Sequence, residues 1–383
     1  MFKRFFSLLL CCFAAIFSTS ALASVDELIP LQEQIVKLQA RQLDPMAKPI
    51  TLLENGPALK MGSKGARVQK LNTRLAELGY LAGEFDDQFD EVTEAAVRAY
   101  QAAAGLVVDG VVDHQTRFNL NLSDQDKLEI LRTQLQDMER FFSANQDQRY
   151  IVVNLPGYTL RAYEGGKRVF ESRVVVGSAA RQTPLMKTNM TAIVFHPSWS
   201  PPKTILAKDI FRNGEIHSKT VARMGLQLID AKGKKVSMDE VQIAKQSDLV
   251  EGGYRFMQPA GDRNALGRLK FDLDNPHSIY LHDTNHRELF GRQSRAMSSG
   301  CIRVDSFREL AAWVTGKSVA EIDQELLNRR TRRLSLEKIP VYTVYWIADV
   351  NQGKTVFSRD IYARVRLPKK AVAESVTKAN AKP

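Results

Sequence analysis

The spacing of apolar residues along this chain changes character partway. From Val25 to about Gln42, Leu28, Leu31, Ile35 and Leu38 recur at helical spacing until Pro45 and Pro49 break the pattern, which predicts one amphipathic helix. Gly62-Ser63-Lys64-Gly65 then leads into Val68, Leu71, Leu75 and Leu78, and Gly79-Tyr80 closes that helix. A second helix is predicted from about Glu91 to Ala104, with Val92, Ala96, Val97 and Tyr100 inward and Gly105 ending it. The turn Asp109-Gly110-Val111-Val112-Asp113 precedes a short helix near Thr116. Ser123 with Asp126 three residues on is a capping box, opening a helix with Leu128, Leu131, Leu135 and Met138 on one face.

Beyond Arg149 the period becomes two. Tyr150–Asn154, Thr159–Tyr163 and Arg168–Val176 read as strands, the last two joined as a hairpin across Glu164-Gly165-Gly166-Lys167. Between Pro201 and Gly253 the pattern turns polar and partly helical, with few strand signals. Ser278–Leu281 reads as a short strand ending at His282, Phe307–Val314 and Val319–Leu327 as helices, and Val341–Ile347 with Thr355–Phe357 as a closing hairpin around Asn351-Gln352-Gly353-Lys354. The expected fold class is α+β: a small three-helix domain followed by a β-rich domain. The expected boundaries are 24–52 for the first helical segment, 53–122 for the three-helix domain, 123–148 for a connecting helix and 149–367 for the β-rich domain. Its polar insertion spans about 201–253, and 368–383 form a disordered tail rich in Lys, Ala and Ser.

Met1 to Ala23 has a basic start at Lys3 and Arg4, an apolar run from Phe5 to Phe17, and Ala21-Leu22-Ala23 before Ser24, the layout of a cleavable secretory signal. Its apolar run is short for a membrane span, so membrane attachment enters only through an uncleaved signal. Cleavage removes Cys11 and Cys12 and leaves Cys301 as the single cysteine of a mature chain without internal disulfides. Removing Lys3 and Arg4 lowers the net charge from +11 to +9. A basic exported chain suits polyanionic wall surfaces, and its compartment argues against nucleic acid.

The candidate chemistry lies in Ser298-Ser299-Gly300-Cys301-Ile302-Arg303 and, upstream, Ile279-Tyr280-Leu281-His282-Asp283-Thr284. Cys301 follows His282 by 19 residues. A thiol attacks as thiolate, and imidazole can take and return the proton. A free thiol is mostly protonated at neutral pH unless a base or a cation stabilises the anion, and His282 and Arg303 are placed in sequence to do that. Gly300 permits a tight turn whose amides, with that of Cys301, face a developing oxyanion. A lone cysteine can equally be a small buried hydrophobe, and Arg303 a solvated charge. The remaining histidines show no metal-ligand spacing with Cys301, so neither a metal nor a cofactor is expected.

These residues resemble the active-site signature of the L,D-transpeptidases, cysteine enzymes that cross-link bacterial peptidoglycan. Ser299 stands where many members have histidine, as in the larger, lidded branch of that family. Val174-Val175-Val176-Gly177, Arg181-Gln182-Thr183-Pro184, His196-Pro197-Ser198-Trp199-Ser200-Pro201-Pro202 and Asn264-Ala265-Leu266-Gly267-Arg268 extend the resemblance in order. The region before them resembles a small peptidoglycan-binding module through its Gly-x-x-Gly, Leu-Gly-Tyr, Ala-Val-x-x-Tyr-Gln and Asp-Gly-Val-Val blocks, with Asp113-His114 in place of a more usual Gly.

The resemblance implies a periplasmic enzyme with Cys301 as nucleophile and His282 as base. Gly300, Ser299, Asp283 and Arg303 are then oxyanion or orienting residues, and Trp199, Tyr280 and Asn264 contact substrate. The insertion becomes a lid, peptidoglycan stem peptides the substrates and carbapenems the inhibitors. Its acyl acceptor stays open between another stem, a lipoprotein and a D-amino acid. An L,D-carboxypeptidase and a non-catalytic wall-binding protein are the alternatives.

Overall fold

A computed structural model describes residues 25–42, 50–241, 243, 245–351 and 353–365. The predicted signal, Cys11, Cys12, Pro45, Pro49 and the tail lie outside the described residues. The chain groups into two compact units, and the second comprises Arg149–Tyr163 and Val169–Val344.

In the first unit, α1 (Val25–Gln42) turns Leu28, Leu31 and Leu38 inward. Three short helices follow: α2 (Ala66–Glu77), α3 (Glu91–Ala103) and α4 (His114–Asn121). Val68, Leu71, Leu75, Val97, Tyr100 and Leu120 share their core. Asp90 and Asp113 cap α3 and α4 by accepting from the first-turn amides, so Asp113 starts a helix where glycine was the more usual residue. Gln101 holds the Asp109–Val111 turn from both ends, accepting from Asp109 and Gly110 N–H and donating to Val111 O. Val92 was expected inward, yet it lies in the first turn of α3 and is 61% exposed. Helix α5 (Asp124–Ala144) begins at the capping box, with Ser123 Oγ accepting from Asp126 N–H and Asp126 Oδ2 from Ser123 N–H.

The second unit is built on a nine-stranded sheet. Its strands are β1 (Arg149–Asn154), β2 (Thr159–Glu164), β3 (Lys167–Gly177), β4 (Lys187–Phe195), β5 (Leu269–Leu273), β6 (Leu281–His282), β7 (Ala296–Ser298), β8 (Ile302–Val304) and β9 (Arg332–Val344). The order is β7-β3-β8-β6-β5-β4-β9-β1-β2, and β2 pairs again with β3, which closes the sheet into a barrel with β7 added outside the ring. Three of the pairings are parallel, β1 with β9, β6 with β8 and the outer β7 with β3. Helices α6 (Phe307–Thr315) and α7 (Val319–Leu327) separate β8 from β9.

Two expectations are corrected here. The insertion is not short of strands: Gln227–Ile229, Lys235–Val236 and Arg255–Met257 form their own small sheet. That sheet encloses an apolar core of Ile210, Phe211, Leu228, Leu249 and Phe256. The closing segment is not one hairpin either. Val341–Val344 run parallel to Ile151–Asn154 in the barrel, while β10 (Ala348–Asn351) and β11 (Lys354–Phe357) pair with each other and group with the helical unit. The switch falls at Trp346 and Ile347. Trp346 is buried edge-on against Phe141, with centroids 5.4 Å apart, and Ile347 N–H donates to Gln134 Oε1 at 3.0 Å.

Trp346→Ala is expected to destabilise the helical unit by about 3–5 kcal/mol, because the cavity cannot fully collapse. Denaturant unfolding followed by near-ultraviolet circular dichroism measures this, and an unchanged midpoint would contradict the anchoring role.

Candidate active site

Strand β6 is two residues long, and its neighbours fix its register. Leu281 pairs with Ile302 and His282 with Arg303 on the parallel side; on the antiparallel side His282 pairs with Lys270. Ile302 N–H donates to Tyr280 O at 3.1 Å, which places Cys301 beside Tyr280. Side chains two apart share a face, so Tyr280, His282, Cys301 and Arg303 all face one side of the sheet. Cys301 and His282 are diagonal neighbours on adjacent strands, roughly 8 Å apart at Cβ, a gap that an imidazole and a thiol can span. The expected strand at Ser278 is instead a turn, with Ser278 at φ 55° and both Ile279 backbone groups held by the Asn275 side chain.

His282 is buried, and its Nδ1 lies 2.5 Å from Asp283 O. A carbonyl only accepts, so Nδ1 carries the proton and Nε2 is left with its lone pair. Burial lowers the imidazole pKa to about 3; the Arg303 charge and then that of Lys270 push the same way, against the Asp283 hydrogen bond. The ring is therefore neutral at pH 7. Asp283 supplies its carbonyl rather than its carboxylate. The carboxylate accepts from Arg268 N–H and from Arg287 Nη1, both at 2.9 Å, and Arg287 continues to Asp305.

Cys301 is half-buried, and its thiol donates to Ser278 O at 3.7 Å. Burial pushes the thiol above its ordinary pKa, opposed by hydrogen bonds from Tyr280 and by the charges of Lys270 and Arg303. Tyr280 accepts from Trp199 Nε1 at 3.1 Å and meets the His282 ring edge-on at 5.6 Å, with Lys270 Nζ 4.5 Å over its face. The thiol and the imidazole are therefore both neutral at rest, with two cations positioned for negative charge on sulfur.

The turn before Cys301 is fixed by side chains. Ser298 Oγ accepts from Gly300 N–H at 3.1 Å and donates to Cys301 O at 2.6 Å, and Thr183 Oγ1 donates to Gly300 O at 2.7 Å. Gly300 has φ 119°, where a side chain is strained, and a Cβ there would meet Ile279 at 3.2 Å. The Gly300 amide, expected among the oxyanion donors, is already bonded to Ser298, so Gly300 shapes the turn instead. Among the described residues the Cys301 amide has no hydrogen-bond acceptor. Ser299 is exposed and accepts from Arg181 Nη1 at 2.8 Å. Arg303 Nη1 reaches Thr284 Oγ1 at 3.3 Å, while its buried Nε has no partner.

Of the expected substrate contacts, only Tyr280 stands at the thiol. Trp199 is buried in the insertion's core and reaches the site through the Tyr280 hydroxyl. Asn264 is buried, donating to Gln258 O and Pro259 O and accepting from Leu266 N–H, so its side chain shapes the loop and is closed to substrate. Lys270 and Ser298 were not singled out from sequence. No cluster of three or more metal-ligating side chains occurs among the described residues.

A neutral alkylating reagent such as iodoacetamide reads the thiolate directly. Its rate at Cys301 is expected to rise with pH through a midpoint above the ordinary thiol value, since burial raises that pKa. A plateau already reached by pH 7 would contradict the neutral thiol.

Residues 148–333 match the L,D-transpeptidase catalytic domain, and residues 64–117 match the model described as "Putative peptidoglycan binding domain". A "Putative L,D-transpeptidase" of Haemophilus influenzae is 33% identical over 216 residues, which make up 55% of this chain and 44% of that relative's length. Among solved structures, the Stackebrandtia nassauensis L,D-transpeptidase aligns at 14% identity over 78% of this chain and 97% of its own, with a TM-score of 0.25. LD transpeptidase LdtMt1 in complex with imipenem aligns at 12% identity over 52% and 59%, with a TM-score of 0.24. Those two overlaps are too slight to bear on the fold, which rests on the strand order described above. The barrel of this chain carries an L,D-transpeptidase catalytic domain, with a peptidoglycan-binding domain N-terminal to it.

Proposed function

We propose that this protein is an exported, periplasmic peptidoglycan L,D-transpeptidase that forms 3→3 cross-links through a thioester on Cys301. The observation that carries the reading is the face shared by Cys301 and His282, with the imidazole proton fixed on Nδ1 and the Nε2 lone pair free.

Rotation about the Cys301 Cα–Cβ bond exchanges Ser278 O for the imidazole. The sulfur then attacks the carbonyl between meso-diaminopimelate and D-Ala in a tetrapeptide stem as its proton passes to His282 Nε2. A raised thiol and a depressed imidazole make that transfer uphill at rest, so it accompanies S–C bond formation. The Cys301 amide is the available oxyanion donor. His282 returns the proton to the departing D-Ala amine and leaves a thioester. The side-chain amine of a second stem attacks that thioester, loses its proton to His282, and the thiol is regenerated. One peptide bond is broken and one formed, so no nucleotide is consumed. The N-terminal domain's part in this reading is to hold the enzyme on its polymeric substrate, and carbapenems act as acyl donors that stall at the thioester stage.

Intact-mass spectrometry after incubation with a carbapenem is expected to find one adduct, on Cys301, absent in Cys301→Ala. His282→Gln should slow acylation by about 10²–10⁴-fold. Incubation with purified tetrapeptide stems should give 3→3 dimers; an unmodified Cys301, or release of D-Ala with only tripeptide product, would contradict the transpeptidase reading.

A further inference from the structure

Arg181 has no part in the steps above, yet it is carried on a frame fixed to the nucleophile turn. In the loop between β3 and β4, Ser178 N–H donates to Ser298 O at 2.9 Å and Thr183 Oγ1 to Gly300 O at 2.7 Å. The fit is close: a Cβ on Gly177 would lie 2.2 Å from Arg181 O. Arg181 Nη1 donates to Ser299 Oγ, two residues before Cys301.

The same guanidinium grips a carboxylate of the insertion. Nη1 and Nη2 donate to the two oxygens of Asp209 at 2.6 and 2.7 Å. Asp209 sits on the π-helical turn Leu206–Ile210, an irregularity that recurs at functional positions in helices. The side chains are 22% and 32% exposed, so water and solutes reach the pair, and an ion pair of this kind adds little stability of its own. A planar fork offering two parallel N–H groups recognises carboxylates in general, and here one belonging to the chain occupies it.

We propose that Arg181 is the carboxylate receptor beside the Cys301 turn. The free C-terminal carboxylate of the acyl donor, one residue beyond the carbonyl that Cys301 attacks, displaces Asp209 from the guanidinium, so that donor binding and release of the insertion are one exchange. The inference rests on the L,D-transpeptidase reading and adds to it the residue that selects a donor with a free carboxyl end.

The test is equilibrium binding to the full chain carrying Cys301→Ala, which prevents turnover. Its two probes are a tetrapeptide stem ending in D-Ala and the same stem as its C-terminal carboxamide. The acid is expected to bind roughly ten- to a hundredfold more tightly than the amide. Arg181→Gln should abolish that preference. Asp209→Asn, by removing the resident competitor, should strengthen binding of the acid severalfold. A merely structural ion pair predicts the opposite for Asp209→Asn, with binding weakened as in Arg181→Gln. That result, or equal affinity for acid and amide when Arg181 is intact, overturns the assignment and leaves the chemistry of Cys301 standing. If neither stem binds, the L,D-transpeptidase reading is struck and the assignment falls with it.

Discussion

The parallel pairing of β6 with β8 is the constraint on which the site depends. His282 stands on a strand of two residues, too short to hold a register by itself, and takes its position from Lys270 on one side and Arg303 on the other. A slip of one residue would turn the imidazole into the barrel and the thiol away from it. Parallel neighbours need a long crossover, and the chain between them supplies the turn from Ser298 to Gly300 that delivers Cys301. Thr183 and Ser298 then lock that turn through its carbonyls and amides, so the position of Cys301 is set by hydrogen bonds that do not involve sulfur.

The electrostatics follow from where this face is buried. Lys270 and Arg303 flank the imidazole, and their charges add to desolvation in keeping it neutral. The same cations favour negative charge on sulfur, but burial outweighs them in the resting enzyme. The site therefore does not hold a ready-made thiolate–imidazolium pair. In the proposed reaction its dipoles and charges meet charge that develops as the substrate carbonyl is attacked, where preorganised groups need not reorient. A protected neutral thiol is also less open to oxidation.

Much of this was legible in the sequence because local chemistry and pattern agreed. The capping box at Ser123 and the Gly-terminated helix starting near Val68 could be read from residue type and spacing, and the Cys301 and His282 segments were singled out by residue type and resemblance. What escaped depended on partners distant in the chain. Asn264 looked like a polar residue in a site loop, but the carbonyls that consume its amide belong to Gln258 and Pro259, and nothing in its spacing shows which way it turns. The bond of the Gly300 amide to a serine two residues earlier was hidden for a similar reason. Lys270 enters the site only through its register with His282, and the apolar core of the insertion was hidden by the many surface lysines and arginines around it. The last strand was misread because Val341–Ile347 forms one apolar run, although the chain leaves the barrel partway along it.

The central claim is a neutral imidazole, protonated on Nδ1, facing a neutral thiol. Nitrogen-15 NMR of the His282 ring between pH 5 and 8 tests it most directly, because the shifts of the two ring nitrogens distinguish both tautomers from the imidazolium. The account predicts one protonated nitrogen, Nδ1, and no titration across that range, given a pKa of about 3. A doubly protonated ring at pH 7, or a proton resident on Nε2, would contradict it.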